Sequence, residues 1–154
     1  QLIFYNIPGK QAIDWMQHGK YMFRGDTSLS QKGLLQNFHL RPSRISHRVV
    51  PSKSSVIHFN AGNAWQFRNK RLLLIDSAHA NYQPGKITPV DLMIITGNPK
   101  TSIGNLLQAI KPSLIVFDAT NRLWKIANWK KECEALLLPC FSIPEKGAFI
   151  FQIE

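Results

Sequence analysis

Short apolar runs, separated by turn residues, fill the first half of the chain. Residues 2–7 alternate weakly between apolar and polar positions and are rich in β-branched and aromatic side chains, which predicts a strand. The turn residues Pro8 and Gly9 follow, and two further runs complete a predicted N-terminal meander. A similar pattern downstream predicts a second meander. The predicted strands of the two meanders are residues 2–7, 12–16, 21–24, 56–60, 64–67 and 72–75.

A helix is predicted between the two meanders, over residues 28–38. Four apolar side chains recur there at helical spacing, so we expect them to face the core. Gly33 interrupts this pattern and weakens the helical prediction. Residues 41–51 are basic and interrupted by proline, which predicts a loop or an edge strand. The expected inward-facing side chains of the helix are Leu29, Leu34, Leu35 and Phe38.

The second half of the chain alternates strands with helices. Residues 92–95 and 114–117 are continuous apolar runs, typical of strands covered on both faces. A helical pattern separates them, so residues 91–118 predict a parallel strand–helix–strand unit. Meanders followed by such a unit predict a single α/β or α+β layered domain. The other elements predicted in this half are helices at 103–110 and 124–137 and strands at 141–143 and 148–153.

Positive charge is concentrated in one third of the chain. The net charge is +10, and residues 20–71 hold ten Lys and Arg side chains against one carboxylate, Asp26. Such a surface attracts phosphate backbones or anionic lipid headgroups, and the alternative is a solubilising surface without a partner. We expect contacts with nucleic acid, because Arg, Ser and His are interleaved at 41–48 and suit phosphate oxygens. The predicted nucleic-acid-binding residues are Arg41, Arg44, Arg48, Lys53, Arg68, Lys70 and Arg71.

A second candidate site follows the apolar run 92–95, where a glycine-containing loop leads into a helix. Backbone N–H groups at a helix start can bind an anion, and a lysine in the loop adds a point charge. The spacing of a nucleotide-binding P-loop is absent, and Thr101 or Ser102 is also an ordinary helix N-cap. The predicted anion-binding loop consists of Gly97, Asn98, Lys100, Thr101 and Ser102.

The five histidines form no recognisable metal motif. A zinc site needs three or four converging ligands, commonly from closely spaced pairs, and no such His or Cys pairs occur. We therefore predict no metal, no cofactor and no catalytic residue. The alternative is a metal-dependent nuclease or phosphodiesterase with a relocated metal site, built from His39, His47, Asp76 or His79.

Residues 91–151 resemble a known family in the order of their elements. Residues 91–102 read Asp-Leu-Met-Ile-Ile-Thr-Gly-Asn-Pro-Lys-Thr-Ser, the next helix ends before Lys-Pro, and residues 146–151 read Lys-Gly-Ala-Phe-Ile-Phe. Residues 4–13 match a strand–turn–strand motif of the same family. The arrangement resembles the C-terminal metallo-β-lactamase-like domain of ComEC, the family of competence DNA-uptake channels, and most of all its Bacteroidetes branch.

The resemblance implies a shortened α/β metallo-β-lactamase-like fold of mixed sheets with flanking helices. It also implies that residues 1–154 are one domain excised from a larger inner-membrane protein, with the periplasmic side favoured over the cytoplasmic side. The implied partners are DNA and the remainder of the channel. An anionic membrane surface is a further candidate, and a docking domain without nucleic-acid contact is the alternative to DNA binding.

The departures from the family pattern concern its metal ligands. The paired histidines of the family fall on Gly97 and Asn98, and its His-x-His-x-Asp-His motif has no counterpart in this chain. Metal-activated water requires several such ligands around an open site. We therefore interpret the chain as a degenerate, non-catalytic member that binds or guides DNA through its basic surface.

Overall fold

Eleven strands of the described residues form two sheets at the centre of the protein. The computed structural model describes residues 1–53, 58–61, 63–81 and 85–153. The strands are β1 (Leu2–Phe4), β2 (Ala12–Gln17), β3 (Lys20–Gly25), β4 (Val50–Pro51), β5 (His58–Ala61), β6 (Ala64–Phe67), β7 (Lys70–Ile75), β8 (Thr88–Ile95), β9 (Ile110–Phe117), β10 (Cys140–Ser142) and β11 (Phe149–Phe151). The first sheet has the order β11-β1-β2-β3-β4, and the second has the order β10-β9-β8-β7-β6-β5.

Both sheets are mixed, as the resemblance implied. In the first sheet β11, β1, β2 and β3 are antiparallel and β4 adds a parallel edge. In the second sheet β7 to β10 are parallel, and β5 and β6 continue the sheet as an antiparallel meander. The helices are α1 (Thr27–Ser30), α2 (Leu34–His39), α3 (Arg41–Ser46), α4 (Ile103–Leu107), α5 (Leu123–Ala135) and α6 (Ile143–Lys146).

The protein has four layers, which are the α1–α3 segment, the first sheet, the second sheet and the α4–α5 pair. An apolar cluster lies between each layer and the next. Alternation along β1 sends Leu2 and Phe4 towards the second sheet, while Ile3 and Tyr5 face the opposite way. The central cluster lies between the sheets and includes Trp15 in T-shaped contact with Trp65. The outer face of the first sheet is covered by the α1–α3 segment, and the outer face of the second by α4 and α5. The α/β layered fold predicted from the sequence is therefore confirmed.

The predicted helix over residues 28–38 is wrong in extent and in orientation. Two short helices, α1 and α2, replace it, and Gly33 precedes the second one. Leu29 is buried as expected, but Leu34 and Phe38 are 79% and 78% exposed, and Leu35 is exposed as well. The segment predicted as a loop or edge strand forms α3 and the short strand β4. Residues 56 and 57 of the strand predicted at 56–60 lie outside the described residues, and β5 spans His58–Ala61.

Pro112 lies within β9 instead of marking the end of the preceding helix. Proline lacks the N–H that a central strand donates, so it is tolerated where one side of a strand is unpaired. On the side away from β8, the neighbouring strand β10 pairs only with residues 115–117 of β9. Position 112 is thus a local sheet edge, which accounts for a proline in an otherwise central strand.

Candidate nucleic-acid interface

Arg44, one of the predicted nucleic-acid contacts, is buried in an ion pair. Its Nε and Nη2 atoms each donate a hydrogen bond of 2.8 Å to the Asp14 carboxylate. The Tyr5 hydroxyl donates to the same carboxylate at 2.8 Å, and burial together with the Asp14 charge raises the pKa of Tyr5. The guanidinium also lies 3.9 Å from the ring centre of Tyr21. The prediction that Arg44 contacts nucleic acid is therefore corrected, because the side chain is buried and its Nε–Nη2 edge is paired with Asp14.

The Arg44–Asp14 pair joins α3 to the middle of the first sheet. Asp14 is fully buried on the central part of β2, on the face that α1–α3 covers. In a buried bidentate pair of this kind each charge neutralises the other, and removing either partner leaves the other charge buried and unpaired. The role of Arg44 is to hold the α2–α3 segment against the sheet.

Four of the remaining predicted residues present exposed side chains near one end of the sandwich. The cavity lined by Lys20, Ser52 and Phe67 shows that the ends of β3, β4 and β6 adjoin there. Arg68 follows directly on Phe67, where its side chain donates at 3.2 Å to the backbone oxygen of Ile153. We call the following exposed residues the basic end: Lys20, Arg48, Lys53, Arg68 and Arg71.

Lys70 and Arg41 lie in different surroundings from the basic end. Lys70 Nζ is 3.0 Å from Asp91 Oδ1, so its charge is already paired. The backbone N–H of Arg71 donates to the other Asp91 oxygen at 2.9 Å. The side chain of Arg71 makes no use of this carboxylate and is exposed. Arg41 instead lines a groove on the helical layer together with Lys32.

The predicted anion-binding loop lies at the carboxyl ends of the parallel strands, where two of its N–H groups already have acceptors. The N–H groups of Gly97 and Asn98 donate to side-chain oxygens of Thr120 and Asn121 at 2.6 and 3.0 Å. Lys125 Nζ donates to the backbone oxygens of Asn98 and Pro99, which fixes the loop from α5. The side chain of Lys100, which belongs to this loop, is exposed.

The start of α4 is also occupied by groups of the protein itself. Ser102 caps the helix by accepting from the N–H of Asn105 at 3.2 Å, which confirms the N-cap interpretation. Glu132 Oε2 accepts from the N–H groups of Ile103 and Gly104 at 2.7 and 3.3 Å. A carboxylate from α5 thus holds the place that the sequence assigned to an external anion. The N–H groups of Ile103 and Gly104 are therefore not available to an external anion.

A buried polar cluster that the sequence analysis missed lies beside this loop. Asp118 Oδ1 accepts hydrogen bonds from the backbone N–H and hydroxyl of Thr120 and from Asn121 Nδ2. The Thr120 and Thr96 hydroxyls are 3.0 Å apart, and Gln11 donates to Thr96 at 3.2 Å. Burial raises the pKa of Asp118.

This Asp118 cluster joins the first sheet to the second at the carboxyl ends of β8 and β9. Gln11 precedes β2 of the first sheet, whereas Thr96 and Asp118 directly follow β8 and β9 of the second. A usable signal was present in the sequence, because polar residues after two neighbouring parallel strands meet at one edge. Asp118 Oδ2 is buried and has no hydrogen-bond partner among the described residues.

The histidines proposed for a relocated metal site belong to separate layers. His79 Nδ1 lies 2.7 Å from Asp76 Oδ1 just after β7, in the second sheet. His39 and His47 belong to the helical layer over the first sheet, where His47 Nδ1 lies 2.8 Å from the backbone oxygen of Ser43. Within residues 1–53, 58–61, 63–81 and 85–153 we find no group of three or more His, Cys, Asp or Glu side chains that could hold a metal ion.

A comparison with known protein families identifies one family for this chain. The family model of the ComEC C-terminal domain matches residues 2–153. The chain belongs to this family. It is thus a component of a competence DNA-uptake protein, and the ComEC family is membrane-associated. No curated protein and no solved structure matches the chain.

Membership in the ComEC family agrees with the resemblance inferred from residues 91–151 and 4–13. The match also covers the residues between these two segments. Across the described part of the chain, no helix of this ComEC domain has the length and apolar character to cross a membrane.

Proposed function

We propose that this ComEC domain is non-catalytic and binds or guides DNA through the basic end. The observation that carries the proposal is the placement of exposed cationic side chains at one end of the sandwich, within a stretch that has a net charge of +9. Arg and Lys side chains that project from strand ends can contact successive phosphates without reading base sequence. The family supports this proposal, because its proteins act in DNA uptake.

The structure narrows the set of residues proposed to bind DNA. Arg44 is excluded by its burial, and Lys70 contributes less because Asp91 neutralises it. Arg48, Lys53, Arg68 and Arg71 remain from the original prediction, and Lys20 joins them because it adjoins Ser52 at the same end.

Titration of labelled single-stranded and duplex DNA, followed by fluorescence anisotropy, tests the proposal. We expect affinity to fall steeply as salt rises from about 50 to about 200 mM, because bound cations are released from the phosphates. In the triple variant Arg48→Gln, Lys53→Gln, Arg71→Gln the slope of log affinity against log salt should decrease by about 0.9 for each lost contact with duplex DNA. Absent or salt-insensitive binding would overturn the proposal.

A matched control separates local contacts from net charge. The control variant Lys100→Gln, Lys111→Gln, Lys131→Gln also removes three positive charges, but from exposed positions outside residues 20–71. The control should bind DNA nearly as well as the unmodified protein. Equal losses in both triple variants would show that net charge, and not the basic end, governs binding.

We propose further that the domain is carried by a larger inner-membrane protein, contacts the remainder of that channel, and faces the periplasm. A domain that handles DNA before translocation would meet it on that side. A reporter enzyme that is active only outside the cytoplasm, fused to the domain in its full-length protein, distinguishes the two sides; an inactive but intact fusion contradicts the periplasmic assignment.

A further inference from the structure

The helical layer over the first sheet exposes large apolar side chains. Leu34 and Phe38 are four residues apart on α2 and are 79% and 78% exposed, so they share a solvent-facing side of the helix. Ile45 on α3 and Val50 in β4 are 64% and 58% exposed. We call these residues, with Leu35, the α2–α3 patch.

The members of the α2–α3 patch belong to one helical layer and the strand that follows it. Helices α2 and α3 pack against each other, and β4 follows α3 after a short connection. Ile45 and Val50 line a common open groove of about 470 Å³. Grouped exposed apolar residues of this kind mark an interaction surface, unlike the isolated exposed side chains found on most proteins.

The charged side chains that line this groove are cationic. Lys32 and Arg41 line the same groove as Ile45 and Val50, and both are exposed. Residues 27–75 contain no Asp or Glu. The carboxylate beneath this layer, Asp14, is buried and neutralised by Arg44. The α2–α3 patch is therefore an apolar surface with a cationic rim.

We propose that the α2–α3 patch docks on an anionic lipid surface. Leucine and phenylalanine enter the boundary between headgroups and acyl chains, while lysine and arginine contact the lipid phosphates. DNA would use the rim charges but would gain little from exposed Leu34 and Phe38, because phosphate contacts need no apolar partner. The combination of exposed apolar side chains with exposed cationic side chains in the same helical layer favours the lipid surface.

Vesicle flotation of the 154-residue protein tests this proposal. The vesicles contain either phosphatidylcholine alone or phosphatidylcholine mixed with phosphatidylglycerol. We expect binding to the anionic vesicles, and a loss of at least about tenfold in Leu34→Ser, Phe38→Ser, because two inserted side chains are removed. Lys32→Gln, Arg41→Gln should also weaken binding, and raising the salt should weaken it further.

The control variant is Leu123→Ser, Trp124→Ser, which removes one leucine and one aromatic ring of 62% and 58% exposure from α5 on the opposite layer. It should bind vesicles as the unmodified protein does. Thermal unfolding followed by circular dichroism confirms that each variant is folded, which we expect because the altered side chains are exposed.

Three outcomes would overturn the proposal. They are equal binding to neutral and anionic vesicles, equal loss in the patch and control variants, and unmodified vesicle binding in Leu34→Ser, Phe38→Ser. A dimer in sedimentation that becomes monomeric in the patch variant, without vesicle binding, would assign the patch to a second copy of this chain. DNA affinity, measured on the same patch variant, should not change.

Discussion

The two outer helical layers of the protein are held by different forces. Over the second sheet, α5 buries Ile126, Trp129 and Cys133, and Trp129 stacks on Phe117 at a centroid distance of 5.6 Å. Over the first sheet, residues 27–48 bury the side chains of Leu29, Leu40 and Arg44. One layer is thus an apolar interface, and the other depends largely on a single ion pair and two leucines.

The difference follows from how each layer uses its apolar residues. The α5 layer buries Ile126, Trp129 and Cys133, which stabilises the fold, although Leu123 and Trp124 at its start are exposed. The α1–α3 layer leaves several outward, so they contribute little to folding and remain available to a partner. We therefore expect the layer that buries fewer apolar side chains, the α1–α3 layer, to stabilise the fold less.

The largest expected effect comes from breaking the Arg44–Asp14 pair. Arg44→Ala leaves the Asp14 carboxylate buried and unpaired, so we expect the free energy of unfolding to fall by about 3–5 kcal/mol. Urea denaturation measures this loss. Arg48→Ala, an exposed neighbour, should change stability by no more than about 0.5 kcal/mol. A similar small change in Arg44→Ala would mean that the α1–α3 layer does not depend on the pair.

A smaller effect is expected in the α5 layer. Glu132→Ala removes the acceptor of the Ile103 and Gly104 N–H groups, and we expect a loss of about 1–2 kcal/mol because charged caps of this kind are partly exposed. The same denaturation experiment applies, with the exposed neighbour Glu134→Ala as the control. A loss as large as that of Arg44→Ala would remove the contrast between the two layers.

The pH dependence of stability reports on the Asp118 cluster. Because burial raises the pKa of Asp118 in the folded protein, the folded state holds this proton more tightly than the unfolded chain. Its contribution therefore favours folding below the unfolded pKa of about 3.9 and is lost as pH rises through the folded pKa.

The variant Asp118→Asn isolates this contribution. The stability of the unmodified protein minus that of Asp118→Asn should decrease with rising pH, by at most about 1.4 kcal/mol per pH unit between the two pKa values. Denaturant melts over a pH series measure the difference. A difference that is constant with pH, or that increases, would show that the folded protein does not raise the pKa of this carboxyl.

Local patterns were sufficient for most elements and insufficient for helix orientation. The alternation at 2–7 and the apolar runs at 92–95 and 114–117 gave the correct strands, because a strand face is defined by neighbouring positions. The spacing of Leu34, Leu35 and Phe38 also fits a core-facing helix, but Gly33 ends the regular pattern and the helix that follows turns these residues outward. A periodic pattern identifies a shared face without identifying what that face contacts.

For the proposed binding residues, too, the sequence carries part of the information and the fold carries the rest. Their concentration in residues 20–71 was readable from the sequence, and so was the loop at 97–102. The burial of Arg44 and the use of the loop N–H groups by Thr120, Asn121 and Glu132 were not readable. Each of these contacts joins residues more than 20 positions apart, and a local sequence window carries no information on such pairs.

The sequence by itself therefore determined the layered α/β class, the family resemblance and the excess of positive charge. Only the tertiary structure decided which cations face solvent, which anion occupies the start of α4, and which apolar side chains remain uncovered. The physical reason is that periodicity and composition are local properties. Burial, ion pairing and hydrogen-bond satisfaction depend instead on the partner that the fold brings to each group.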